Sequence, residues 1–113
     1  MAVTVTGGPT AGGKTERVSL GSANDATAIT LPSWVRKCTI QFKDSGGSSC
    51  AGRVLRGQTQ SDAAAMSDHA FTVASGAAYE LTIAIGNTRM LDGATFYCST
   101  AGASGFAYLD LEL

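Results

Sequence analysis

The sequence predicts an all-β fold: an antiparallel β-sandwich, jelly-roll-like, of about eight or nine short strands with little helix. Three observations lead there. Apolar residues recur at every second position along much of the chain, the mark of a strand with one buried and one wet face. Clusters of Gly, Ser, Asn and Asp interrupt these runs at short intervals, as turns do in sandwiches and barrels. The longest segment free of Gly and Pro, residues 58–75, ends in the β-favouring Phe71-Thr72-Val73 and leaves room for two helical turns at most.

Residues 1–16 are rich in Gly and Thr and offer only Val3 and Val5 to bury. They read as an extended N-terminal arm, with a short strand at 3–6, that pairs at one edge or reaches a neighbour. Residues 17–113 read as a single sandwich domain. Its first strands fall at 17–20 and 28–31. Pro32 closes the second of these, and Trp34 is expected to pack under the sandwich end. Cys38, Ile40 and Phe42 alternate with Lys37, Thr39, Gln41 and Lys43. A strand at 53–56 leads into the long loop 57–68, where Ser61-Asp62 could cap a turn through Ala63-Ala64-Ala65-Met66. Strands follow at 70–73, at 79–85 (Tyr79, Leu81, Ile83 and Ile85 on one face), at 95–99 and at 107–113. Ile40, Phe42, Leu81, Ile83, Leu109 and Leu111 are the expected inward core.

Composition narrows the function. Hydrophobic residues make up 44% of the 113, but 18 of them are Ala, and Leu, Ile, Val and Phe number only 22. Such a thin core leans on partner subunits. Charged residues are 15% and the net charge is −1, which lacks the basic footprint of a nucleic-acid binder. No stretch approaches the length of a membrane span. The first ten residues have neither a charged nor an apolar segment, so no secretory signal peptide is expected.

One motif invites a sharper reading. Gly8-Pro9-Thr10-Ala11-Gly12-Gly13-Lys14-Thr15 satisfies the phosphate-loop pattern G-x-x-x-x-G-K-[ST], and Asp110 imitates its acidic partner. That loop works because a helix starts at Lys-Thr and aims its N-terminus at the anion. Here Glu16 to Ser22 continues with period two, so the motif is expected to be a Gly-rich turn.

Other candidate chemistry is sparse. Three cysteines, Cys38, Cys50 and Cys98, are spaced unlike any zinc pattern and read as reduced structural thiols. His69 is the single His. It follows Asp68, but neighbours in an extended chain point to opposite sides. Asp44, Asp62, Asp68 and Asp92 lie in or near loops without a calcium-loop spacing and read as turn formers. No catalytic residue, cofactor site or metal site is expected.

The order of these elements carries a resemblance. Ile29-Thr30-Leu31 leads through the Pro32 corner and Trp34 to the basic-led alternating run Arg36 to Phe42. His69 to Gly76 and Ala78 to Ile83 follow, then Thr95 to Gly102 and an apolar terminal strand. This succession is similar to small β-sandwich structural proteins of tailed bacteriophages, such as capsid decoration proteins and head or tail adaptors. The resemblance spans roughly residues 28–113. It implies a non-enzymatic virion component, made in the host cytoplasm, that decorates or cements a capsid or connects virion parts. The implied partners are further copies of itself, with closed symmetry such as a trimer, and the major capsid or other virion proteins. Val3, Val5, Ala63, Ala64, Met66 and Trp34 are the expected interface residues. The alternative is a carbohydrate-binding sandwich that uses Trp34 or Tyr108 as a sugar platform.

Overall fold

The computed structural model describes residues 2–21, 26–32, 34–56, 70–82, 95–100 and 105–113. They form nine strands: β1 (Ala2–Thr4), β2 (Gly13–Ser19), β3 (Thr27–Thr30), β4 (Lys37–Asp44), β5 (Gly52–Arg56), β6 (Phe71–Val73), β7 (Tyr79–Thr82), β8 (Thr95–Thr100) and β9 (Gly105–Glu112). Among the described residues there is no helix. The short turn expected at 61–66 lies outside them.

The strands build two sheets, ordered β1-β3-β8-β5-β6 and β2-β9-β4-β7. The pairing has a simple logic. β2 pairs with β9, β3 with β8, β4 with β7 and β5 with β6, all antiparallel. This is one long hairpin, eight strands from β2 to β9, wound up so that β9 also meets β4 and β8 also meets β5. That winding is the jelly roll.

β1 stands outside it and differs from the antiparallel expectation, because it pairs with β3 in parallel. The reason is the path between them: the chain leaves one sheet, runs through β2 in the other and returns as β3. A parallel neighbour always needs such a crossover.

The inner faces follow the alternation in the sequence. Cys38, Ile40 and Phe42 of β4, Ala107, Leu109 and Leu111 of β9, Val18 of β2 and Leu81 of β7 face Ile29, Val54, Val73, Phe96 and Cys98 of the other sheet. Leu20, Leu31 and Val35 close the ends of this cluster. Of the expected core residues, Ile83 lies outside the described ones and the other five are buried.

The arm docks on its own domain. Val3 is half-buried against the core and Val5, 6% exposed, is a member of it. The Val5 amide donates to Thr30 O at 2.9 Å. Residues 13–16 belong to β2, so the boundary expected after residue 16 falls inside a strand. β2 extends further toward the N-terminus than the sequence suggested because it is held from outside: each residue from Gly13 to Ser19 has a partner on β9.

Candidate binding face on the four-stranded sheet

Since Ala107, Leu109 and Leu111 point inward, Phe106, Tyr108, Asp110 and Glu112 must point outward. Register places their neighbours. Ser19 and Lys43 flank Phe106, Arg17 and Gln41 flank Tyr108, Thr15 and Thr39 flank Asp110, and Lys37 lies beside Glu112. Glu80 of β7 lies beyond Thr39. The result is a broad polar face with two aromatic rings set into it.

Both rings carry cations. The Arg17 guanidinium sits 4.6 Å from the Phe106 centroid and the Lys43 ammonium 4.8 Å from that of Tyr108. The rings meet edge to face at 6.4 Å. Each contact lies within the range where a cation is attracted to a ring's negative face. At the other end of the face, Lys37 Nζ lies 3.5 Å from both Glu80 and Glu112. Glu80 first, then Glu112, raises the Lys37 pKa above its ordinary value. Between these ends is a shallow hollow of about 270 Å³, lined by Thr15, Thr39, Gln41, Lys43, Tyr108 and Asp110.

The phosphate-loop letters build something else. Thr10 and Gly13 exchange backbone hydrogen bonds at 2.7 and 3.1 Å around a two-residue turn. Ala11 and Gly12 both have positive φ, 53° and 86°, as a type I′ hairpin turn requires. Gly13, Lys14 and Thr15 are already strand β2. The Lys14 ammonium is held by the Glu16 carboxylate at 2.7 Å and donates to Thr6 O at 2.6 Å. A second hollow, about 350 Å³, lies beside this turn, but Asp110 and Glu112 line it and would repel a phosphate.

The expected interface residues separate. Val5 is spent in the core. Trp34 is half-buried against that core, and its indole N–H donates to Gly7 O at 2.7 Å, pinning the arm. Ala63, Ala64 and Met66, with His69, Asp62, Asp68 and Asp92, lie outside the described residues. Asp44 is a turn former: its Oδ1 accepts from the amides of Gly46 and Ser48 at 2.9 and 3.0 Å.

Cys38, Cys50 and Cys98 are free thiols, the first and third buried. Burial, then the Asp110 charge, pushes the Cys38 pKa up to about 12. Burial, then the Cys38 charge, pushes Cys98 well above its ordinary value. Among the described residues no three His, Cys, Asp or Glu side chains gather as a metal site would need, and no helix is long and apolar enough to cross a membrane.

Two features escaped sequence reasoning. Phe71, on edge strand β6, is 70% exposed, with its ring 5.9 Å from that of Tyr79. The pairing of Arg17 with Phe106 joins residues far apart in sequence and needs the register to be seen. Comparison with protein-family models, with curated proteins and with solved structures found no match for this chain.

Proposed function

We propose that this chain is a non-enzymatic virion structural protein that decorates or cements a capsid, or joins virion parts, through subunit interfaces. The observation that carries the reading is the winding of β2 to β9 into a jelly roll, an architecture that viral capsid domains use. This is an analogy at the level of fold. The surface supports it: the outer face of the four-stranded sheet offers aromatic anchors among paired charges, and aromatic and Arg side chains are enriched where proteins meet. The partners are further copies of the chain and the major capsid or another virion protein. Co-sedimentation of the purified chain with particles that lack it tests the proposal. Saturable binding is expected, and particles that pellet without it would count against the reading.

A second reading is favoured by Tyr108. Its ring lies on an open face beside Gln41, Thr39 and Asp110 around the 270 Å³ hollow, and lectin domains also use jelly rolls. A carbohydrate-binding module would place a sugar there. A glycan array decides: specific binding lost in Tyr108→Ala supports the module, and silence across the array removes it. Trp34 is the weaker platform, because its indole is tied to the arm.

A further inference from the structure

We propose that the outer face of the four-stranded sheet docks a second copy of this chain, the two faces meeting with their strands antiparallel. The inference rests on the oligomeric reading above and names its surface. What carries it is the way charge is divided along the strands. Arg17 and Lys43 lie at the end of the face that holds Phe106 and Tyr108. Asp110, Glu112 and Glu80 lie at the opposite end, with Lys37 between the two glutamates. Counted over these six side chains, one end carries two positive charges and the other a net two negative, so the face as a whole is neutral.

Such a face complements itself. Two copies related by a two-fold axis lying in the interface, across the strands, set the basic end of each against the acidic end of the other. That is the isologous contact expected of a dimer. The parallel arrangement sets like charge on like and is rejected. In the antiparallel one Arg17 comes into reach of Asp110 of the partner subunit, while Phe106 and Tyr108 lose water from their exposed edges. Dimensions allow it. The four strands, of 7, 8, 8 and 4 residues, cover roughly 430 Å² per copy at ~4.8 Å spacing and ~3.3 Å per residue, or about 860 Å² in all, the size of a weak, transient contact. A weak dimer, with a Kd of roughly tens to hundreds of micromolar, is expected, weakened by salt because its complementarity is ionic.

Sedimentation of charge-reversed chains tests this. Wild-type protein should dimerise with a Kd of roughly tens to hundreds of micromolar that weakens on the order of tenfold between ~50 and ~500 mM NaCl. Arg17→Glu with Lys43→Glu should be monomeric, as should Asp110→Lys with Glu80→Lys. An equimolar mixture of the two variants should dimerise again. Variants that associate as the wild type does overturn this face and leave self-association standing. A wild type that stays monomeric up to ~1 mM overturns self-association itself; glycan binding through Tyr108 in that chain would then assign the face to a saccharide. If either variant loses its strand spectrum, the salt series on the wild type decides alone, and association indifferent to salt overturns the proposal.

Discussion

Gly52 faces Phe42 across the sandwich, and a Cβ placed there would come within 2.2 to 2.5 Å of three Phe42 ring carbons. The two sheets approach over this one missing methyl group. Gly52→Ala should cost about 2–3 kcal/mol, as overpacking a filled core does. Urea unfolding measures it, and a loss under ~0.5 kcal/mol would show that Phe42 can swing aside. The thiols give a second residue-scale prediction. In the native chain a thiol reagent should label Cys50 and spare the buried Cys38 and Cys98. The unfolded chain sheds thiol protons from its usual value of 9.0, whereas folded Cys38 keeps its proton to about 12. Stability therefore falls as pH rises through that window, by about 1.4 kcal/mol per unit for each buried thiol. Denaturant melts between pH 8 and ~10.5 should show the fall. Cys38→Ala should roughly halve the slope, since Cys98 is also buried and raised, and an unchanged slope in that variant would contradict the assignment.

At the scale of elements, much was legible because alternation is local. Cys38-Ile40-Phe42 and Leu109-Leu111 announced their strands and their buried face without any knowledge of partners, and both are buried as expected. What alternation cannot carry is who pairs with whom. The arm shows this best. Val3 and Val5 looked too few to hold it, yet the parallel pairing with β3 and the bonds from Trp34 and Lys14 to Gly7 O and Thr6 O supply the rest. Lys14 and Glu16 repeat the lesson. They share the inward face of edge strand β2 with Val18, by the same alternation that buries Val18, and inward charges on an edge discourage a further strand from adding there. The turn before them holds Ala11 at positive φ, where a Cβ is strained. Ala11→Asn should raise the unfolding free energy by about 0.5–1 kcal/mol, since Asn-Gly suits this turn. A drop in the denaturation midpoint would mean that the turn is not type I′.

At the scale of the molecule, period two and turn spacing announced a sandwich, but the jelly-roll winding follows from pairings such as Thr27 with Cys98 and Gly13 with Glu112, which are long-range. The candidate face was legible only in part for the same reason. Tyr108 stood out as an aromatic on a wet position, whereas its company of Lys43, Gln41 and Arg17 comes from strands β4 and β2. In the proposed function this winding and that face together make a protein that works by adhesion between surfaces. The most direct measurement is quantitative mass spectrometry of purified particles from the source of this chain. The chain is expected in fixed ratio to a capsid or connector protein, retained through washing. Washed particles in which the chain is missing or present only at trace, variable levels would overturn the adhesive role.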